Sequence, residues 1–277
     1  MSKERVDVLL VARGLASTRE TAKRLIMAGL VRCGTQLVDK PGERVSVAAA
    51  LSVAGPLHPY VSRGGLKLER ALAVFDVSLV GRVVLDVGAS TGGFTDCALQ
   101  NGAALVYSVD VGYGQLAWQL RTDERVRVME RVNFRHVDSS LFNPQPDAAV
   151  MDVSFISIGK LLPKLREILL PKAPLLTLVK PQFEAGPQAV GKGGIVRDPA
   201  VHEEVLRRVV NQAVSEGFAV HGLTYSPVRG GEGNIEFLLW ASSPMHADCA
   251  EGDEIRPDAA QLDIEGTVLA AHTALLP

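Results

Sequence analysis

Four charged residues occupy positions where side chains could do chemistry. Asp152 and Lys180 each end an apolar stretch, Lys67 precedes the first such stretch, and Glu236 lies at the start of the last. A charge at the end of a buried strand is costly unless it is paired, and one structural ion pair would need only two of these residues. Two lysines and two acids at one edge therefore predict a site that handles a proton or a developing charge.

A glycine-rich segment after the first apolar strand is the second candidate site. It reads Asp86-Val-Gly88-Ala89-Ser90-Thr-Gly92-Gly93-Phe94 and opens a helix. Glycines let the backbone turn tightly and approach a ligand. Asp110, followed by Val111, ends the next strand, where an acid can hold ribose hydroxyls. Asn133 follows the third strand and either contacts an adenosine or caps a helix. These residues, together with Asp152, are the predicted cofactor contacts.

Two cofactor types compete for this segment. A dinucleotide site would read Gly-x-Gly-x-x-Gly, because the pyrophosphate needs the amino end of the helix. This segment has a different spacing, and the carboxylate of Asp86 would repel pyrophosphate. An acid suits the ammonium and sulfonium groups of S-adenosylmethionine. The residues therefore favour S-adenosylmethionine over a dinucleotide.

Strand and helix patterns alternate from about residue 61 onward. We predict strands at 83–87, 105–110, 126–129, 148–152, 175–179, 218–226 and 235–240, with helices at 65–74, 95–100, 158–168 and 199–216. Such alternation predicts an α/β fold with a parallel sheet covered on both faces. The last two strands lack a full helix between them, so we expect the final strand to be antiparallel. A closing amphipathic helix is predicted at 258–276.

The first part of the chain is basic, whereas the whole chain has a net charge of −2. Residues 1–50 carry nine Lys or Arg and five Asp or Glu, and two short helices with short strands are expected there. Arg19 and Lys23 lie four residues apart and share a helix face. Such a face suits phosphate contacts or is simply a solvated surface. The predicted RNA contacts are Arg5, Arg13, Arg19, Lys23, Arg24, Arg32, Arg63 and Lys192.

Both halves of the chain resemble known families. The pattern Arg5-Val-Asp-Val-Leu-Leu, Arg13-Gly-Leu-Ala-Ser-Thr-Arg19 over residues 4–50 resembles the S4 RNA-binding domain. The motifs Ser-Arg-Gly-Gly-Leu-Lys67, Asp152-Val-Ser-Phe-Ile-Ser, Lys180-Pro-Gln-Phe-Glu and Glu-Gly-Asn-Ile-Glu236 are similar to the TlyA family, often labelled hemolysin A. Its catalytic domain resembles the FtsJ/RrmJ methyltransferases.

The resemblance implies a fold, a reaction and a set of roles. It implies an S4-like α+β domain at 1–54, a linker at 55–61 and a Rossmann-like, seven-stranded methyltransferase domain at 62–277. The expected reaction is 2'-O-methylation of cytidine in 16S or 23S rRNA. The family's Lys-Asp-Lys-Glu tetrad falls on Lys67, Asp152, Lys180 and Glu236. Burial and the charge of Lys67 would lower the pKa of Lys180, as a general base requires. Asp152 and Glu236 would raise it, so Lys180 as general base and Lys180 as stabiliser of negative charge both stay open.

Composition argues against other classes. No apolar run reaches the roughly 20 residues that cross a bilayer, and the first residues lack the apolar centre of a signal peptide. Cys33, Cys97 and Cys249 are scattered, so neither a disulfide framework nor a metal site is expected. We expect a cytoplasmic protein that works on ribosomal RNA or ribosomal subunits, without a membrane or a metal. The sequence leaves the oligomeric state open.

Three other functions compete with rRNA ribose methylation. A membrane-active hemolysin would need an amphipathic or membrane-spanning element. A non-catalytic ribosome-assembly factor would not require an intact tetrad and glycine segment, which this chain has. A methyltransferase acting on a base commonly carries an Asn/Asp-Pro-Pro-aromatic loop, whereas this chain has Asp152-Val-Ser-Phe155 there.

Overall fold

Two compact units, Met1–Pro59 and Tyr60–Pro277, divide the chain. The computed structural model describes residues 3–16, 18–27, 29–53, 58–191, 193–230, 233–245 and 262–275, and it describes only the backbone of Arg24. The predicted linker at 55–61 begins outside these residues. The predicted domain limits at 54 and 62 therefore stay predictions.

The described residues of the first unit form two helices and five short strands. In chain order they are β1 (Lys3–Arg5), α1 (Val6–Ala12), α2 (Arg19–Met27), β2 (Val31–Cys33), β3 (Gln36–Leu37), β4 (Arg44–Ser46) and β5 (Leu51–Val53). β1 pairs with β4, and β2 lies between β3 and β5. The apolar faces of both helices meet the sheets around Leu10, Ile26 and Val31. β1 and β5 are not among the predicted strands.

A buried carboxylate ties the start of this unit together. The Asp7 side chain is fully buried and pairs with the Arg5 guanidinium at 2.9 Å and with Arg19 at 3.0 Å. The hydrogen bond from Arg5 is the main cause that lowers the pKa of Asp7 to about 2. Asp7 therefore links α1 to α2 as a charged group.

The second unit alternates helices and strands as the pattern predicts. Its elements are α3 (Gly64–Phe75), β6 (Val83–Val87), α4 (Gly93–Gln100), β7 (Leu105–Asp110), α5 (Trp118–Arg121), β8 (Val126–Glu130), β9 (Ala148–Met151), α6 (Leu162–Ile168), β10 (Pro174–Val179), α7 (Pro181–Glu184), α8 (Pro199–Ser215), β11 (Ala219–Tyr225), β12 (Phe237–Ser242) and α9 (Ile264–Leu275). Short 3-10 turns lie at Phe134–His136, Ser139–Leu141 and Ile158–Lys160.

Seven strands form one sheet in the order β11-β12-β10-β9-β6-β7-β8. β12 pairs antiparallel with both β10 and β11, while the central pairs are parallel. The prediction of a seven-stranded α/β sheet with an antiparallel last strand is confirmed. Because the chain order reverses beside β6, the carboxyl ends of β6 and β9 border a crevice where ligands bind in such sheets.

Helices cover both faces of the sheet. α3 and α4 pack on one face with Leu68 and Cys97 in the core. α6, α8 and α9 pack on the other, around Leu165 and Val209. Successive β12 residues alternate between these cores, as a pleated strand requires. Each fully buried Leu, Val or Phe contributes about 1.5–3 kcal/mol relative to an exposed one.

Candidate active site

The structure brings the four predicted catalytic side chains into one chain of ion pairs. Lys67 Nζ lies 2.7 Å from Glu236 Oε2 and 3.7 Å from Asp152 Oδ2. Lys180 Nζ lies 2.6 Å from Asp152 Oδ1. The order is Glu236, Lys67, Asp152, Lys180, so charges of opposite sign alternate and sum to zero. We call these four residues the tetrad.

Four different elements supply the tetrad. Lys67 lies on the buried face of α3, and Asp152 and Lys180 directly follow β9 and β10. Glu236 immediately precedes β12, which begins at Phe237. The predicted strand at 235–240 would instead have included Glu236. Since β12 is antiparallel, its start meets the carboxyl ends of β9 and β10. The fold thus collects side chains that are up to 169 positions apart.

Two residues of the loop after β9 extend the site beyond the predicted set. Lys180 Nζ donates a hydrogen bond of 2.9 Å to Ser154 Oγ. Phe155 has a positive φ of 64° and an 89% exposed side chain, and its ring centroid is 4.9 Å from that of Phe183. Both residues belong to the family motif that begins at Asp152, but the motif did not predict these contacts, because loop conformation depends on distant parts of the chain.

Contacts within the chain explain the glycines of the segment after β6. Gly88 and Gly92 have positive φ values of 87° and 94°. A Cβ on Gly88 would lie 2.5 Å from the Asp152 carbonyl, and one on Gly92 would lie 2.2 Å from Leu120. A Cβ on Gly93 would lie 2.3 Å from Ser62 Oγ. These glycines therefore bring the segment against β9, α5 and the start of α3.

Asp86 is fully buried beneath this segment. Its Oδ2 accepts a 2.6 Å hydrogen bond from Thr95, whose hydroxyl lies 2.7 Å from that of Ser108. Asp86 Oδ1 has no hydrogen-bond partner among the residues that the structure describes. Burial is the main cause that raises the pKa of Asp86 to about 7; the hydrogen bond from Thr95 opposes this rise, and the negative charge of Asp152 adds to it.

Three of the predicted cofactor contacts lie at the ends of β7 and β8 and not in the tetrad. They are Asp110, Val111 and Asn133. The Asp110 carboxylate accepts hydrogen bonds from the backbone N–H of Ser90 at 2.7 Å and of Gly112 at 2.6 Å. It thereby holds the segments after β6 and β7 together. Val111 is 73% exposed. Asn133 caps a 3-10 turn by accepting from the backbone N–H of Arg135, the capping role that its position also predicted.

A cavity of about 280 Å³ opens between the tetrad and the glycine segment. The predicted residues that line it are Arg63, Lys67, Gly88, Ala89, Ser90, Gly93, Phe94, Asp152 and Lys180. Residues outside the predicted set, among them Ser62, Thr91, Ser154 and Gly230, complete the wall. Asp86, Gly92, Asp110, Val111, Asn133 and Glu236 are not part of its lining. Glu236 contacts Lys67, which does line the cavity.

The donor set of this edge fits a cationic nucleoside cofactor. Asp86 keeps an unpaired buried carboxyl oxygen, and Asp110 and Asp152 stand at the neighbouring strand ends. Acids at these positions favour a ligand with an ammonium and a sulfonium group. The chemistry of these residues therefore fits S-adenosylmethionine.

Most predicted RNA contacts of the first unit already have partners within the chain. Arg13 donates to the Ala49 carbonyl at 2.6 Å and also to the Val47 carbonyl. Arg32 donates to the Thr35 carbonyl at 3.1 Å, and Lys23 lies 3.4 Å from Glu20. Arg5 and Arg19 pair with Asp7, yet both remain 40% or more exposed. The side chain of Arg24 lies outside the described structure.

Arginines without partners border the cavity of the second unit. Arg63 and Arg229 line it, and neither forms an ion pair or hydrogen bond with a described side chain. By contrast Arg82, Arg121 and Arg125 each pair with an acid. Lys192, another predicted RNA contact, lies outside the described residues. Arg63 therefore lines the cavity as a cation without an ion pair to any acid that the structure describes.

Neither a membrane span nor a metal cluster is found in the described part of the chain. None of its helices is long and apolar enough to cross a bilayer. No group of three or more His, Cys, Asp or Glu side chains in these residues could hold a metal ion.

The fold and the site define an S-adenosylmethionine-dependent methyltransferase. The sheet order, the antiparallel β12 and the acid-bordered crevice beside β6 are features of that class. The profile of the FtsJ-like methyltransferases matches residues 60–243, and the S4 domain matches residues 4–50.

Three relatives narrow the class to a family. The chain is 45% identical to the 16S/23S rRNA (cytidine-2'-O)-methyltransferase TlyA of Mycobacterium tuberculosis, over 86% of this chain and 89% of that protein. It is 54% identical to YqxC of Bacillus subtilis, a candidate rRNA methyltransferase, over 99% and 95% of the two chains. A solved structure from Streptococcus thermophilus, assigned as a candidate hemolysin, is 48% identical, with a TM-score of 0.74 and coverage of 99% and 97%.

This chain belongs to the TlyA family of FtsJ-like methyltransferases, in which an S4 domain precedes the catalytic domain. The predicted family, fold class and enzyme class are thereby confirmed.

Proposed function

We propose that this protein transfers a methyl group from S-adenosylmethionine to the ribose 2'-hydroxyl of a cytidine in ribosomal RNA. The observation that carries the proposal is the tetrad, in which Lys180 and Lys67 flank Asp152 beside the cavity. The relative from Mycobacterium tuberculosis, a 16S/23S rRNA (cytidine-2'-O)-methyltransferase, supports the choice of cytidine in rRNA. The proposed setting is the cytoplasm, with ribosomal RNA or ribosomal subunits as partner.

S-adenosylmethionine would supply an electrophilic methyl group when bound. We assign its binding to the segment from Gly88 to Phe94, with Asp110 and Val111 on the nucleoside side and Asn133 as a further contact. Asp86 lies beneath the segment, and its buried oxygen Oδ1, which has no partner among the described residues, would take part in holding the cofactor. Asp152 would face the methyl donor and the RNA at once.

The tetrad would orient the hydroxyl and stabilise negative charge on its oxygen. A ribose hydroxyl is a weak nucleophile, so donors fixed in place before the reaction lower the barrier. The carboxylate of Asp152 holds Lys180 at 2.6 Å and thereby fixes the direction in which its N–H groups donate hydrogen bonds. Glu236 holds Lys67 in the same way at 2.7 Å. We therefore favour Lys180 as the stabiliser of negative charge.

RNA binding is assigned to both units. In the first unit, Arg5, Arg13, Arg19, Lys23, Arg24 and Arg32 would meet phosphates, which position RNA without reading its sequence. In the second unit, Arg63 and Lys192 would hold the strand beside the cavity. The free guanidinium of Arg63 supports this assignment, because it needs no ion pair to be broken before it meets a phosphate.

Mapping of 2'-O-methylation on rRNA tests the proposal. Ribosomal subunits from cells that lack the protein are incubated with S-adenosylmethionine and either the wild type or Lys180→Ala. We expect new 2'-O-methylcytidine with the wild type and a loss of about 100-fold or more in rate with Lys180→Ala. Calorimetry should show that the variant still binds S-adenosylmethionine.

Two outcomes would contradict the proposal. If the wild type added no new 2'-O-methyl group, the ribose of rRNA would be excluded as the substrate. Unchanged methylation by Lys180→Ala would remove Lys180 from its assigned role. Arg125→Ala serves as the control, since Arg125 pairs with Asp123 ahead of β8, at the opposite end of the strand from the site.

A further inference from the structure

A second cavity of about 220 Å³ lies beside the first, on the opposite face of the sheet. Its walls include Ile195, Val196, Arg197, Ile235 and His272, and Arg229 lines both cavities. None of these residues takes part in the tetrad. The cavity combines apolar side chains with two guanidinium groups.

The segment that leads into β12 separates the two cavities. Glu236 points to Lys67 on the α3 side of the sheet, at 2.7 Å. Ile235 belongs to the core of the other face, with Phe237 and Leu239. This alternation follows from the pleat of the chain. A ribose placed at the tetrad could not put its own base into the second cavity without crossing this segment.

The charges at the second cavity favour an anionic ligand. Arg197 and Arg229 have no ion pair with any described acid, whereas six other arginines of the second unit each pair with an acid. Arg197 is exposed, and Arg229 is partly buried where the cavities adjoin. A phosphate beside Arg229 would link a ligand in one cavity to a ligand in the other.

The apolar walls suit the flat face of a base. Unstacked RNA bases bind between apolar side chains and on guanidinium planes, and polar groups contact their edges. His272 Nε2 is engaged with His202 Nδ1 at 2.9 Å, so Nδ1 of His272 is the ring nitrogen that remains for another partner. The Asn234 side chain holds the surrounding loop by bonding to Val196 N–H and the Gly194 carbonyl, each at 2.9 Å.

We propose that the second cavity binds the base of the nucleotide adjacent to the target cytidine, with Arg229 at the phosphate between the two and Arg197 at the cavity edge. This inference rests on the proposed function. It adds a positioning subsite: the neighbouring base, once held, fixes the target ribose at the tetrad. The contribution of one bound base is large enough to change substrate affinity about tenfold.

Three variants of the full chain test the subsite in methylation assays on ribosomal subunits. Ile195→Trp fills the cavity without changing charge, Ile195→Val keeps it open, and Arg197→Ala removes one cation. We expect Ile195→Trp to raise KM for the RNA about tenfold and Ile195→Val to leave KM unchanged. Arg197→Ala should raise KM and reduce the slope of log KM against log salt by about one. Ile195→Trp should keep the wild-type slope.

Further measurements separate this subsite from the proposed function and from misfolding. All three variants should bind S-adenosylmethionine like the wild type and unfold at the same temperature. Wild-type KM for Ile195→Trp, with the fold intact, overturns the subsite while rRNA methylation stands. An increase in KM for Ile195→Val equal to that for Ile195→Trp also overturns it. A wild type that does not methylate ribosomal subunits overturns the proposed function itself.

Discussion

Lys180 is held from two sides, by the Asp152 carboxylate at 2.6 Å and by the Ser154 hydroxyl at 2.9 Å. The carboxylate supplies charge, while the hydroxyl fixes direction. A hydrogen bond to a charged group contributes about 1.5–3 kcal/mol. We therefore expect Ser154→Ala to lower kcat about tenfold, because the ammonium loses its orientation. The measurement is single-turnover methylation of ribosomal subunits.

Ser154→Thr is the matched variant, because it restores a hydroxyl at the same position. Its rate should lie between those of the wild type and Ser154→Ala, and KM for the RNA should stay within the wild-type range in both. If Ser154→Ala raised KM and left kcat unchanged, Ser154 would bind RNA and would not orient Lys180.

Asp86 makes the stability of the second unit depend on pH. Burial raises its pKa to about 7, so between pH 4 and 7 the folded chain holds a proton that the unfolded chain releases. Stability from this group is fully present below the unfolded pKa of about 4 and is lost as pH rises to about 7, with a limiting slope of about 1.4 kcal/mol per pH unit.

We expect that Asp86→Asn does not lose this stability as pH rises from 4 to 7, because asparagine does not titrate. Urea unfolding of both proteins at several pH values, followed by fluorescence of Trp118 and Trp240, measures the difference, since both tryptophans lie in the second unit. The variant should gain stability relative to the wild type as pH rises from 4 to 7. A difference that does not vary with pH would contradict the raised pKa.

At the scale of elements, the central strands of the sheet were predictable from sequence because each is a run of buried, largely apolar residues. β6 and β7 begin and end at the predicted residues, and the predicted antiparallel β12 is confirmed. Three-residue strands such as β1 and β5, and four-residue helices such as α5 and α7, were missed. Segments this short have no period that a pattern can reveal.

The tetrad could be anticipated for the same reason, since charged residues at the ends of apolar runs are conspicuous. The contacts of Ser154 and of the 228–230 loop could not be anticipated, because a loop position carries no periodic signal and its contacts are made by distant parts of the chain. The glycines were predicted to admit a ligand. Gly92, which packs against Leu120, shows that packing accounts for one of them without a ligand.

A buried histidine and a half-buried one join α8 and α9. His202 of α8 and His272 of α9 bond ring to ring at 2.9 Å, and the His202 ring packs on Phe237 of β12. Burial lowers the pKa of His202 to about 4, helped by His272 and opposed by the Val196 backbone and Asp198. In the unfolded chain this histidine takes its proton near pH 6.5.

The stability that His202 contributes is therefore present above about pH 6.5 and is lost as pH falls toward 4. We expect the free energy of unfolding to fall by up to about 1.4 kcal/mol per pH unit in this range. His202→Gln should flatten the curve by removing the titrating group. Hydrogen exchange of α9 at pH 5 and 7 would localise the effect, and equal exchange at both values would contradict it.

At the scale of the whole molecule, charge is divided unevenly along the chain. The first 50 residues have an excess of four positive charges, while residues 243–277 carry one Arg and seven acids. A net charge of −2 thus hides a basic first unit. If that unit contacts RNA phosphates, its contribution must depend on salt, since bound phosphates release counterions.

Lys23→Ala tests this electrostatic role, because Lys23 is paired only loosely with Glu20, at 3.4 Å, and its side chain is 42% exposed. We expect the variant to raise KM for ribosomal subunits and to reduce the slope of log KM against log salt by about one, as loss of one phosphate contact requires. Its affinity for S-adenosylmethionine should match the wild type. Lys164→Ala, which removes a lysine of the second unit that pairs with Glu167, is the control and should keep the wild-type slope. Equal slopes for all three proteins would show that Lys23 contacts solvent and no phosphate. The basic charge of the first unit would then have no electrostatic role in RNA binding at this position.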